Sequence, residues 1–152
     1  MEVSMHRKIV PDIVQPVEVA SVTAENTVLE AAKIMRDRKI AALIVVNGEG
    51  ALTGIITERD IVFRATAEGK EPSSAKVSEI MTPNPDTLAP GDSASDALEL
   101  MQTRNYRHLP VVDGNKCIAV VSVRDLFKSV KESLEESIRE TEAFVFGDRY
   151  GA

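Results

Sequence analysis

Two short stretches of this chain hold residue types able to grip a small charged molecule. Gly54-Ile55-Ile56-Thr57-Glu58-Arg59-Asp60 has a near-copy in Ala119-Val120-Val121-Ser122-Val123-Arg124-Asp125. Each has apolar or small residues, then a hydroxyl, then an aspartate three positions on. Apolar residues follow as Ile61-Val62 and Leu126-Phe127. The pattern predicts a buried strand running straight into a helix. Thr57 and Ser122 then fall at the N-cap, and Asp60 and Asp125 at the third helical position.

A helix start is chemically useful. Its first N–H groups lack partners inside the helix, and the helix dipole adds partial positive charge there. An anion such as phosphate is favoured at that end, and a cap hydroxyl can help hold it. The aspartate would repel phosphate, but two adjacent ribose hydroxyls are a natural partner for one carboxylate. Hydroxyl for phosphate and carboxylate for sugar together point to a nucleotide. The same spacing is also a variant capping box that only ends a helix. Thr27-x-x-Glu30 and Ser93-x-x-Asp96 are read in that purely structural way. Duplication of the other two within a matched repeat favours a ligand.

The elements that must position these corners also come twice. Val17 to Val22 alternates and predicts a strand, after a mixed start in which a short helix is expected from Pro11. Val28, Ala31, Ala32 and Met35 share one helix face. Ala41 to Val46 is a continuous apolar strand, buried on both faces. Asn47-Gly48-Glu49-Gly50 is a hairpin turn, and Ala51 to Ile56 returns into the first corner. A helix over Glu58 to Glu68 should stop at Gly69. Polar residues follow, then one helical turn at Val77 to Met81 and an extended turn at Thr82-Pro83-Asn84-Pro85-Asp86.

Then the pattern recurs. Ala94, Ala97, Leu98 and Met101 repeat the first helix face 66 positions later, and Leu109-Pro110-Val111-Val112 repeats Leu43-Ile44-Val45-Val46. The corner itself returns at an offset of 65, so one residue is lost at the Asp113-Gly114-Asn115-Lys116 hairpin tip, where deletion is tolerated. The segments are thus 1–16, a first repeat 17–69, a linker 70–82, a second repeat 83–130 and a helical tail 131–152. Along the tail, Phe127, Val130, Leu134 and Ile138 form a stripe. It is a candidate dimer contact, with packing back onto its own module as the alternative. Phe144-Val145-Phe146 is a second apolar cluster, and the chain is expected to fray from Gly147.

Composition sets limits. The chain has 152 residues, a net charge of −6, 43% hydrophobic and 28% charged residues, which fits a globular protein and disfavours nucleic-acid binding. A single cysteine, Cys117, excludes an internal disulfide and reads as a core residue. His6 and His108 show no metal-ligand spacing. No apolar run long enough to span a membrane and no signal peptide is visible, so an intracellular, cytoplasmic setting is expected. No nucleophile–base pair, metal cluster or phosphate-cradling Gly-x-x-x-x-Gly-Lys loop appears, so no catalytic residue is assigned.

Strand–helix–strand–strand–helix, twice, with G-h-h-[ST]-x-x-D at the last junction, resembles the CBS domain pair, or Bateman module. Val77-Ser78-Glu79-Ile80-Met81-Thr82 and Arg107-His108-Leu109-Pro110-Val111-Val112-Asp113 add to the likeness, which covers Val17 to Val130. The resemblance implies an α/β (α+β) fold of two small sheets packed face to face about a pseudo-twofold axis, with two clefts. It implies a non-catalytic sensor of AMP, ADP, ATP or S-adenosylmethionine, with NAD a further candidate. It also implies a homodimer that acts on an unidentified regulated protein.

By the same resemblance, Asp60 and Asp125 would hold ribose, and Thr57 and Ser122 phosphate. Arg59 and Arg124, with Arg107 and His108, would add phosphate contacts. Ile40, Ala41, Ala42 and Pro110 would wall the base, while Ser21-Val22 and Thr87-Leu88 would meet it through backbone groups. The chain departs from the pattern where Ala119 replaces the corner's glycine, and a methyl there is expected to crowd a ligand. Lys39-Ile40-Ala41-Ala42 also lacks the basic pair of the second copy, so the two clefts should differ.

Overall fold

The structure, a computed structural model, describes residues 7–149. His6, the side chain of Phe146 in the tail cluster and the last residues of the fraying end, 150–152, lie outside them. In the first half, β1 (Ser21–Val22) leads to α1 (Val28–Arg38), β2 (Ala42–Val46), β3 (Leu52–Thr57) and α2 (Glu58–Asp60), which continues as a wider helical turn over Ile61–Thr66. A single helical turn, α3 (Val77–Ile80), precedes β4 (Thr82–Pro83). The second half holds α4 (Ala94–Arg104), β5 (His108–Asp113), β6 (Lys116–Ser122) and α5 (Val123–Arg149).

Local chemistry explains the boundaries. The Thr27 hydroxyl accepts the Glu30 N–H at 3.1 Å, and Ser93 accepts the Asp96 N–H at 3.1 Å, so both first-face helices are capped as their sequences require. They end on left-handed residues, Lys39 (φ 56°) and Asn105 (φ 58°). Gly69, at φ 70°, closes the turn after the α2 helix. Three expectations change. The strand over 17–22 shortens to Ser21–Val22. No regular helix starts at Pro11: Val10 is extended, and the chain makes a tight turn in which the Val14 N–H donates to the Ile9 carbonyl at 3.0 Å. Thr82-Pro83, expected as a turn, is an edge strand paired with Ile55 and Gly54.

Each half builds its own sheet and core. In the first, β1 runs parallel to β2, and β2–β3–β4 is antiparallel. In the second, β5 and β6 are antiparallel, and Leu88 bridges Val111 in parallel, as Val22 does Val45. One face of each sheet packs on its helices. Leu43, Val45 and Ile56 join Ala31 and Met35 in the first core, and Leu109, Val111 and Val121 join Ala97 and Met101 in the second. The other faces meet each other. Ile44, Ile55 and Pro110 are buried there without belonging to either helix-side core.

The leading segments of the two halves are exchanged. Ile9 lies in the second core, with its N–H on the Asp92 carbonyl at 2.8 Å and Val10 on Pro90 at 3.0 Å. Val77 occupies the matching place in the first core, its N–H on Asn26 at 2.8 Å, with Ser78 on Ala24 at 3.1 Å. The pseudo-twofold relation therefore extends to segments that swap sides.

This exchange corrects the reading of Ala119. A Cβ on its equivalent, Gly54, would sit 2.8 Å from Met81 Sδ and 3.0 Å from the Thr82 carbonyl. That glycine is required by β4 passing close by. The Ala119 methyl points into the second core, where it is 2% exposed, and crowds no ligand.

Candidate functional site

Both corners fold as strand into helix with reciprocal caps. At the first, the Thr57 N–H donates to Asp60 Oδ2 at 2.9 Å, and the Asp60 N–H donates to Thr57 Oγ1 at 3.3 Å. The Thr57 hydroxyl is also 3.1 Å from Asp60 Oδ2. The Glu58 N–H donates to the Ala41 carbonyl at 3.0 Å, which leaves the Arg59 N–H as the open donor of the first turn. Asp60 Oδ1 has Arg64 Nε at 3.7 Å, beyond hydrogen-bond range, so that oxygen can accept from a ligand. The second corner repeats the scheme. Ser122 N–H donates to Asp125 Oδ2 at 2.9 Å, Asp125 N–H to Ser122 Oγ at 3.1 Å, and Val123 N–H to the Arg107 carbonyl at 2.8 Å.

The first corner opens on a cleft of about 280 Å³ between the two halves. Thr57, Arg59 and Asp60 line one wall, and Arg107 and His108, at the entry to β5, line the other. Five of the residues singled out in the sequence thus converge, from two elements about fifty positions apart. The cleft also takes in residues that the sequence reading passed over: Phe63, Arg64, Asp86, Arg104 and Tyr106. Arg64 was detectable, because it stands one helical turn after Asp60. Arg104 and Asp86, paired at 3.8 Å, had no local signal, since only the packing of the halves brings them here.

Electrostatics mark this cleft within an acidic chain. Four arginines, 59, 64, 104 and 107, face three carboxylates, Glu58, Asp60 and Asp86. Arg59 stacks 5.6 Å from the Phe63 ring centre, which holds its charge at the rim. Arg107 has no ion-pair partner among the described residues. His108 stands between the corners, opposite Ser122 in the β5–β6 register. Burial lowers its pKa, against the upward pull of Glu58 and Asp125 and with the downward push of Arg107.

The other candidates lie elsewhere. Ser122, Arg124 and Asp125 form the second corner and do not line the first cleft. The pseudo-twofold equivalents of Arg107 and His108 are Ala41 and Ala42, and Arg64 is matched by Ser129, which Arg7 reaches at 3.4 Å. Ile40 is exposed beside them. Ser21 lines a separate hollow with Ile44 and Ile118, and Thr87 a third with Leu52 and Val112. Val22 and Leu88 are core residues, and Pro110 is buried between the sheets. Leu88 pairs both backbone groups on the sheet, donating to Pro110 and accepting from Val112, each at 2.8 Å, so its N–H is not open to a base. Cys117 is buried and its thiol pKa is pushed up by burial, as suits a core residue. Among the described residues no helix is long and apolar enough to cross a membrane, and no cluster of metal-ligating side chains occurs.

Beyond the cleft, a largely apolar groove of about 550 Å³ runs between α4 and α5. Asn105, Tyr106 and Arg107 line both the cleft and this groove.

Comparison with known proteins agrees with this architecture. The CBS domain family model matches residues 3–66 and 77–132. The CBS domain-containing protein YhcV of Bacillus subtilis is 38% identical over 109 residues, 72% of this chain and 76% of its own length. A CBS-domain protein from Burkholderia ambifaria superposes with a TM-score of 0.71 at 37% identity, covering 74% of this chain and 82% of that one. CBSX2, solved in complex with AMP, shares the fold with a TM-score of 0.67 at 21% identity, over 80% of this chain and 94% of its own. With two matched copies, two capped corners and two sister sheets, the chain belongs to the CBS domain family as a tandem pair.

Proposed function

We propose that this chain is a non-catalytic sensor that binds an adenosine mononucleotide in the first cleft and works as a homodimer on a partner protein. One observation carries the reading: Thr57, Arg59 and Asp60 from one CBS copy, and Arg107 and His108 from the other, share the walls of a single hollow. Asp60 Oδ1 would accept from ribose hydroxyls. The Arg59 N–H and side chain, with Arg107, would meet phosphate. At about 280 Å³ the cleft lies just under the usual range of ligand sites, roughly 300–1,000 Å³, and so favours AMP over a dinucleotide such as NAD. CBSX2 in complex with AMP makes that nucleotide the first to test, ahead of ADP, ATP and S-adenosylmethionine. The second corner, with Ala41 and Ala42 in place of the basic pair, would bind phosphate less well.

The test is a thermal-shift titration. AMP at about 100 times its Kd should add roughly 2.7 kcal/mol, a rise of about 5–10 °C for a chain of this size. No shift with any adenosine compound at millimolar concentration defeats the proposal. A ligand-free dimerisation scaffold is the second reading, favoured by the way each hydroxyl–acid pair already closes on itself. It requires a dimer with no nucleotide response.

Binding should depend on pH through His108. Its pKa in the free protein lies below the ordinary value of about 6.5. Its contribution to stability is therefore complete above that ordinary value and is lost as pH falls towards the lowered folded value. A bound phosphate favours the imidazolium and draws a proton in. AMP affinity should thus rise on acidification, by at most about tenfold per pH unit for one linked proton. Calorimetric titration between pH 7.5 and 5.5 measures the slope. His108→Gln should flatten it, and an equal slope in that variant removes His108 from the account.

A further inference from the structure

Helix α5 outruns its sister. The matching helix of the first half ends at Thr66, so residues 132–149 have no counterpart there. The side of α5 that meets the body carries Ser129 and Ser133, both buried, and Glu136, which reaches Arg7 at 3.7 Å. From Ile138 to Val145 every residue is exposed. A helical stretch without tertiary contacts is marginal in water, so this extension needs a cover. Its apolar residues are large and uncovered, with Leu134 45% exposed, Ile138 56% and Phe144 74%, and Phe127 just before it is 72% exposed.

Charge selects the cover and its direction. Residues 123–131 carry Arg124, Lys128 and Lys131 against Asp125 alone. Residues 132–142 carry five glutamates against Arg139 alone. Two copies of α5 side by side and parallel would set acid against acid. Turned antiparallel about Leu134, they set Lys128 beside Glu142 of the second copy and Lys131 beside its Glu135. Val130 then faces Ile138 of the second copy. The same turn brings the second copy's Val145 level with Val123, on the rim of the apolar groove between α4 and α5, which Leu98, Met101, Tyr106 and Phe127 also line.

We propose that the extension of α5 is a clasp between two copies of this chain. The helices pair antiparallel about Leu134, and each lays Phe144 and Val145 into the α4–α5 groove of the other. The clasp rests on the homodimer proposed above and needs no bound nucleotide.

Sedimentation velocity over a concentration series tests it. The native chain should sediment as a dimer, and the Leu134→Glu, Ile138→Glu double variant as a monomer that still unfolds cooperatively. Phe144→Ala with Val145→Ala should weaken the dimer at least about tenfold, the loss expected when two apolar side chains leave a groove. Direction is read by oxidation: Lys128→Cys mixed with Glu142→Cys should form a disulfide between copies, and Lys128→Cys alone should not. A dimer that survives the double glutamate change, or self-linking Lys128→Cys, overturns the clasp and leaves the dimer standing. A monomer at every concentration overturns both.

Discussion

Replacing Asp60 with alanine should abolish nucleotide binding at the first cleft. Its carboxylate is 14% exposed, with Oδ2 held by the Thr57 N–H and Oδ1 facing outward toward Arg64. Hydrogen bonds to a charged acceptor contribute about 1.5–3 kcal/mol each. Two ribose hydroxyls on one carboxylate therefore make a loss on the order of 100-fold in AMP affinity, read by calorimetry. The alanine also breaks the cap, which costs the free protein about 1 kcal/mol. Asp60→Asn separates the two effects. It can still accept the Thr57 N–H, so it should spare most of the stability while losing most of the binding. Asp125→Ala should cost a similar cap and leave AMP at the first cleft almost untouched. Unchanged AMP affinity in Asp60→Ala would remove the sugar-binding role.

Ile9→Ala should give a large loss of stability far from the cleft. Ile9 is fully buried in the second core, although it stands near the start of the chain. Truncating a buried isoleucine to alanine costs about 2–5 kcal/mol, because the lost contacts leave a cavity. Chemical denaturation should show that loss. Val62→Ala, at an exposed position, should stay within about 0.5 kcal/mol. A cost under about 1 kcal/mol for Ile9→Ala would mean that the leading segment does not complete the second core. The exchange also ties the two cores together. The first core includes Val77 and Ile80 from the start of the second half, and the second includes Ile9 from ahead of the first.

What could be read before the structure was local or periodic. The helices over Val28–Arg38 and Ala94–Arg104 follow from their apolar faces and caps, and the duplicated corners from their hydroxyl–acid spacing. What could not be read was the crossing of segments. Nothing near Ile9 announces a partner at Asp92, and nothing near Thr82 announces a strand beside Ile55. The meaning of Gly54 was hidden for the same reason, because the atoms that exclude a side chain there belong to Met81 and Thr82. Of the candidate site, the sequence showed the residues that carry charge or hydroxyls at the corners. Arg104 and Asp86 come from distant turns, so their place in the cleft depends on how two sheets stack, which no single window of residues encodes.

One short bend, Asn105 to Arg107, serves as a party wall between two rooms. Asn105 is held in a left-handed conformation, so the bend has a fixed shape and little slack. A molecule in the cleft that shifted the backbone at Arg107 would move Tyr106 as well, and with it a wall of the neighbouring room.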